Sequence, residues 1–390
     1  MDTQTTPYHV RLWHRDFVLL LTAHLLISIA AYYAVFLMPY MLGKHGLGEM
    51  HAVWIAGSVG IGVCLSGPFI GGLVERYRRK QVFLYSAIAF ACAFIAVGIP
   101  LPIASVGMPL ASVLGLWIGV SYGLARRVLA GILMVDTTES FHRTEANYVA
   151  GWFSRFSLSL GPLFALILSG VGSQTVMYCV PAGGVLLACL CVKMVKIPFK
   201  APVDEVRTIG TDRFFLPQGA RPFVLLLLIA VCVGIVFVMQ PYPLFYAMLM
   251  PGCLCAIILE KANGVGRRPH VVTVSSLLGM AAFVILLLPS AELPSPKVWQ
   301  QIVAPLLLGT GVGLVGSRIL VRLIAISQHC QRSSAVSTYY LSWDVGLAAG
   351  VCLGWSFERS ALGLLMVAFC AVVAIGGLVM DRHRLEKLKR

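Results

Sequence analysis

Twelve apolar runs, most of them longer than a globular helix needs, follow one another between residues 16 and 380. A chain that must hide this much apolar surface has few architectures open to it. A stretch of about 18 or more apolar residues is long enough to cross the hydrocarbon core of a bilayer as a helix. Inside lipid the backbone N–H and C=O groups must be paired within the protein, which a helix does within its own segment. The runs read as spans at 16–42, 51–73, 82–100, 108–133, 147–170, 175–195, 222–240, 244–260, 270–289, 298–324, 334–357 and 361–380. Only 12% of the residues are charged, against about 25% in an average soluble protein. The fold class expected is an all-α membrane protein with twelve transmembrane helices.

The long polar connection, "KMVKIPFKAPVDEVRTIGTDRFFLPQGAR", separates spans six and seven. It implies an N-terminal six-helix bundle at 1–195, a linker at 196–221 and a C-terminal six-helix bundle at 222–390. Lysine and arginine then set the orientation, because basic residues concentrate in cytoplasmic loops. With the N-terminus inside, cytoplasmic segments hold 22 of the 30, clustered at Arg76 to Lys80, Lys193 to Arg221 and Arg382 to Arg390. The outer loops hold Lys44, Lys297 and Arg359, and Arg126, Arg127, Arg155, Arg318 and Arg322 fall within spans. Both termini are therefore expected in the cytoplasm, in a multi-pass protein of the inner or plasma membrane. The net charge of +14 is topological, and no nucleic-acid partner is expected. The segment "MDTQTTPYHVRLWHRD" has no cleavage site ahead of the first run, so no signal peptide is read there. The eleven cysteines show neither zinc spacing nor a disulfide framework, and most sit inside apolar runs as small reduced residues.

A shift of 189 residues lays the chain on itself, bringing Arg143 onto Arg332, Ala146 onto Ala335 and Gly161 onto Gly350. One residue of slippage upstream brings Gly119 and Gly123 onto Gly309 and Gly313. Span four then corresponds to span ten, and span five to span eleven. Parallel six-helix repeats place a substrate site at their interface near mid-membrane.

Between spans two and three stands "GGLVERYRRK". Gly71, Leu73, Glu75, Arg76, Arg79 and Lys80 resemble the loop G-x-L-a-D-R-x-G-R-K of the major facilitator superfamily, with Glu75 in place of Asp and Arg78 in place of the second glycine. A weaker echo, "LEKANGVGRRP", follows span eight. The resemblance implies the major facilitator fold, two pseudo-symmetric six-helix bundles, along nearly the whole chain. It also implies a conformational latch in which Glu75 faces the start of span eleven, with Asp136 as a second partner. A carboxylate at a helix end can accept from basic neighbours or face a helix N-terminus, a contact that must break when the halves move. The plainer reading is a positive-inside stop. Arg78 predicts a turn less tight than the family's.

The Gly161-Pro162 pair in span five is similar to that of the superfamily's antiporters; proline removes a backbone donor, and a helix kink is the expected local effect. Those antiporters also carry an Arg four residues before a Gly in span four. Gly115 holds that place before Gly119, and Arg126 lies about two turns further on. Charged groups within spans are costly in lipid and usually face a cavity or a partner. Snorkelling to the inner surface accounts for Arg322 and for one of Arg126 and Arg127, but poorly for Arg155 and Asp344. These last two are related by the repeat shift, so they could charge opposite walls of one cavity. Asp344 is the leading candidate for a titrating, proton-coupling group. His24 is the second, with a hydrogen-bonded neutral imidazole as its alternative. Arg126, Arg155, Arg318, Tyr32 and Tyr122 are substrate-cavity candidates; Tyr33 and Trp152 are read as aromatics near it or as packing.

No P-loop, HExxH or GxSxG is present, so neither an ATP-driven pump nor a hydrolase of those kinds is indicated, and no metal or cofactor is expected. The reading reached is a non-enzymatic secondary active transporter, a monomer moving a small organic solute by alternating access, in the manner of proton-coupled efflux permeases. Spans one, four, seven and ten lack a central carboxylate while four and ten carry arginines, so the solute is expected to be anionic, zwitterionic or a neutral amphipath. Proton-coupled or facilitated uptake of an organic anion, a non-transporting sensor or scaffold, and a lipid-acting membrane enzyme stand as alternatives.

Overall fold

The computed structural model describes residues 11–44, 49–98, 108–171, 173–196, 209–210, 213–263, 270–287 and 298–389. Lys200, Arg207, Arg267, Arg268, Lys297 and Arg390 of the charge tally lie outside them, as does most of the echo after span eight. The described chain is helical throughout, in twelve rods. α1 is Arg15–Lys44; α2 begins as Glu49–Ser66, tightens into a 3-10 turn at Gly67–Phe69 and continues as Ile70–Arg76. α3 is Arg79–Gly98; α4 runs as Met108–Val128, widens into a π turn at Leu129–Leu133 and ends at Met134–Asp136. α5 is Arg143–Gly170, α6 Gln174–Met194, α7 Ala220–Met239 and α8 Pro243–Asn263. α9 is Val271–Leu287, α10 Val298–Ile326, α11 Arg332–Ser356 and α12 Arg359–Lys389.

Ten of these helices are long and apolar enough to cross a membrane. α9 is apolar but shorter, at 17 residues. α11 has ample length at 25 residues, but its Ser, Thr, Tyr and Asp content keeps it out of that set. Packing accounts for α11's polarity: it lies against α2, α4 and α7, and Tyr339, Tyr340, Trp343 and Leu347 are buried, so lipid does not meet its polar side chains. The lipid-facing surface is supplied by other helices, through exposed Ile61, Tyr85, Val113, Leu190, Ile258 and Leu364.

The packing repeats after six helices. α1 packs on α5 and α6, α2 on α4, and α3 on α4 and α6; adding six to each number gives α7 on α11 and α12, α8 on α10, and α9 on α10 and α12, all observed. Contacts between the first and last six obey the same rule, since α2 with α11 exchanges into α5 with α8. Glycines set the closest approaches. A Cβ on Gly62 would stand 2.6 Å from the Leu116 carbonyl oxygen, and one on Gly252 would stand 2.5 Å from that of Leu306. Only a residue without a side chain allows backbones this near.

One end of the bundle, here called the linker end, gathers the α2–α3 turn, the start of α7 and residues 213–219. There the Phe214 ring sits against Gly67, filling the space opened where α2 is interrupted by Gly67 and Pro68. The backbone N–H of Leu216 donates to Thr338 of α11 at 2.8 Å, and Gly210 N–H donates to the Pro68 carbonyl at 3.1 Å. Residues 209–210 and 213–219 thus meet α2 and α11.

Candidate substrate and gating site

Four helices bring polar side chains to one buried cluster. α4 presents Tyr122 and Arg126, four residues apart and on one face. α1 presents His24, Ser28 and Tyr32, also at steps of four, and α11 presents Ser337, Tyr340 and Asp344. Ser154 comes from α5. Arg126 and Asp344 form an ion pair sealed from solvent, with side chains 0% and 5% exposed. The Arg126 guanidinium also donates to the hydroxyls of Tyr122 and Ser154, and to Tyr32 at 3.0 Å. Tyr122 donates to the carboxylate at 3.1 Å and Tyr32 at 3.5 Å. The guanidinium carbon lies 4.3 Å from the centre of the Tyr340 ring, a cation–π contact strengthened by the dry surroundings.

Depth follows from helix rise. Arg126 lies ten residues before the end of α4 and Asp344 twelve after the start of α11, about 15–18 Å from the linker end. The pair therefore sits near mid-membrane and ties the first six helices to the last six. A buried ion pair offsets the desolvation of its charges only when the remaining hydrogen bonds are made, which the three hydroxyls largely supply.

A second cationic cluster lies between α5, α10 and α11. Arg155 donates to Tyr339 at 3.0 Å and Ser317 at 2.9 Å, and its guanidinium rests 3.9 Å from the Trp152 ring centre. Among the described residues no carboxylate lies within ion-pair distance of it. Nearby, Tyr148 donates to Glu260 of α8, and half-buried Arg318 is an electrostatic neighbour of that carboxylate. Arg155 packs directly on Gly316, the residue that a shift of 190 places opposite Arg126.

The sequence matches the family model of the Major Facilitator Superfamily over residues 20–350. This chain belongs to the major facilitator superfamily. Among solved structures it is similar to a bacterial homologue of the human lysosomal transporter Spinster in an inward-facing, unoccupied conformation, with a TM-score of 0.68, 12% identity, and coverage of 97% of this chain and 99% of that one. It is also similar to the nucleoside transporter NupG, with a TM-score of 0.61, 11% identity, and coverage of 94% of this chain and 98% of that one. Among curated protein sequences none matches. The multi-pass, transporter character of this major facilitator follows from the family and the apolar helices together.

Within that frame the expected residues divide into two places. His24, Tyr32, Tyr122, Arg126 and Asp344 meet in the central cluster. Arg155 and Arg318 belong to the second, so the two repeat-related residues, Arg155 and Asp344, lie in different clusters. His24 is fully buried, its ring 5.3 Å from that of Tyr340, and neither ring nitrogen makes a well-formed hydrogen bond. Arg127 does not snorkel: it is 3% exposed and fastens α4 to α2 through the Val63 carbonyl at 2.9 Å and Ser66 at 2.8 Å. Tyr33 turns away to the Met177 carbonyl of α6. Gly161 receives α1, since a Cβ there would stand 2.9 Å from that of Tyr32, and α5 stays helical through Pro162.

At the linker end, Arg79 holds Asp136 at 2.6 Å and Lys80 donates to the carbonyls of Lys193 and Val195 at the end of α6. Arg76 lies 5.8 Å from the Tyr77 ring, and Gly71 is in the last turns of α2. The carboxylate of Glu75 pairs with Arg213 of the linker at 3.3 Å, and the backbone N–H of Arg213 donates to Ser334 at the start of α11. Glu75 thus reaches α11 through Arg213 in place of the helix start itself. The turn carrying Arg78 is two residues long and needs no glycine: Tyr77 is extended, neither residue has positive φ, and the Arg78 carbonyl accepts from Gln81 and Val82 as α3 begins. Tyr340, Ser154, Tyr339, Ser317 and Glu260 escaped the sequence reading. Tyr340 had a signal, lying four residues before Asp344 as Tyr122 lies four before Arg126.

Proposed function

We propose that this major facilitator is a secondary active transporter moving a small organic solute by alternating access, with proton-coupled export as its coupling mode. The Arg126–Asp344 pair supports this reading above all. It joins the two six-helix halves at mid-depth, so the halves cannot separate at the linker end while it is intact. Protonation of Asp344, or an anionic group competing for Arg126, releases it. His24, packed against Tyr340, is the second group that takes part in proton movement. Glu75 and Arg213, with Arg79 and Asp136, act as the latch at the linker end, which is the cytoplasmic end in a monomer of the inner or plasma membrane.

Ser28 Oγ, Tyr340 Oη and Ser337 Oγ, buried without a hydrogen-bond partner among the described residues, and the His24 nitrogens, which make no well-formed hydrogen bond there, favour a solute or water in the centre. Arg155, buried and among the described residues without a carboxylate at ion-pair distance, though with Glu260 as an electrostatic neighbour, favours an anionic or neutral amphipathic solute. At the far end a cleft of about 330 Å³ lies between α1, α7 and α11, lined in part by Phe36, one turn from Tyr32. Proteoliposomes test the reading. A pH gradient drives accumulation of an organic anion or neutral amphipath by the wild type, and Asp344→Asn abolishes the gradient-driven part while counterflow exchange persists. Unchanged gradient-driven accumulation in Asp344→Asn, or strong preference for lipophilic cations, overturns it.

A further inference from the structure

Away from the central cluster, a cavity of about 1050 Å³ opens between the linker-end halves of α7, α10 and α12. Its walls are apolar, with Leu225 from α7, Ile326 from α10 and Val379 from α12. Two arginines stand over these walls. Arg221 lies in the first turn of α7 and is exposed; Arg322 lies in the last turns of α10 and is half-buried. Among the described residues neither has a carboxylate within ion-pair distance. The start of α7 also places the positive end of its dipole beside Arg221.

The mouth of the cavity opens on the membrane side of the bundle. Val224 and Val379, both at its edge, are among the exposed large hydrophobics, at 48% and 46%. A soluble anion finds in such a place an apolar floor it does not use. An acyl chain finds a groove and, lining the same cavity, two guanidinium groups suited to a phosphate. We propose that this groove is a binding site for an anionic phospholipid, its phosphate held by Arg221 and Arg322 and its acyl chain laid against Leu225, Ile326 and Val379. Pro217 and Gln218 of the linker form part of the wall, so the bound lipid braces the segment that carries Arg213 to Glu75.

The test uses the full-length protein. Delipidated protein is titrated with phosphatidylglycerol or phosphatidylcholine and read by native mass spectrometry and thermal unfolding; inorganic phosphate is the third arm. The wild type retains phosphatidylglycerol and is stabilised by it in preference to phosphatidylcholine, with little response to phosphate. Each arginine removed, in Arg221→Gln, Arg322→Gln and the double variant, weakens phosphatidylglycerol binding by about fivefold. Arg11→Gln/Arg15→Gln, which removes two exposed arginines outside the groove, leaves binding near the wild-type value. Should the double variant fail to fold, Arg221→Lys/Arg322→Lys keeps the charge and binding within a few fold. Equal stabilisation by phosphatidylcholine, equal stabilisation by inorganic phosphate, or unchanged phosphatidylglycerol binding in the glutamine variants overturns the proposal.

Discussion

Asp344 and Arg126 show how one residue's consequences depend on its partner. Removing either leaves the other charged, buried and unpaired, and breaking a buried pair in this way costs about 3–5 kcal/mol. Arg126→Leu alone is therefore expected to lower the unfolding temperature sharply, while Arg126→Leu/Asp344→Leu recovers most of the loss. Thermal unfolding of the single and double variants in detergent measures this directly, and equal losses in both would deny the pairing its energetic role. Asp344 and Arg126 were each legible as costly intramembrane charges. Their partnership was not, because it joins residues 218 apart and depends on how α4 meets α11. The repeat related Asp344 to Arg155, as charges on opposite walls of one cavity, and did not point to Arg126. The two positions are equivalent, but the chain has placed Arg126 opposite one and Gly316 opposite the other, so the symmetry relates backbones and not charges.

Among the elements, close helix approach and the linker carry different kinds of information. Gly119 packs against the Val59 carbonyl of α2, so Gly119→Ala drives a methyl group into backbone and is expected to destabilise by about 1–3 kcal/mol. Gly183 in α6 has nothing within 4 Å of an added Cβ, and Gly183→Ala is expected to be neutral or stabilising by up to about 1 kcal/mol. Paired thermal unfolding of the two variants checks both signs. The glycine periodicity that marks these contacts was visible in the sequence at Gly119 and Gly123 with Gly309 and Gly313. The linker's role was not visible. Nothing in "TDRFFLPQG" announces that Phe214 fills the break in α2, or that Arg213 adopts φ 62° to pair with Glu75 while its N–H reaches Ser334. A non-glycine residue in that left-handed region carries local strain, held here by contacts on both sides. Glu75→Gln weakens the Arg213 contact and is expected to shift the balance towards conformations open at the linker end, raising the thiol reactivity of a Ser333→Cys reporter. An unchanged reactivity would reduce the stretch to a charged stop.

Across the whole molecule, the packing map that returns on adding six to every helix number gives the two-halves account its structural basis. The long apolar runs and the repeat shift made most of that architecture readable, since lipid permits little else. α11 was harder to place by hydropathy because its polar face meets other helices and not the bilayer. The central claim is that closure of the linker end depends on the charged state of Asp344. Phe141 in the α4–α5 turn and Gln328 in the α10–α11 turn are both exposed at that end, one in each half. Spin labels at these two positions, read as a distance distribution in nanodiscs over a range of pH, report the opening without needing the solute. The account predicts a short distance at neutral pH that lengthens on acidification, and in Asp344→Asn a distribution shifted towards the long distance, with the short one still sampled, that no longer changes with pH. Identical, pH-independent distributions in the two proteins would contradict it.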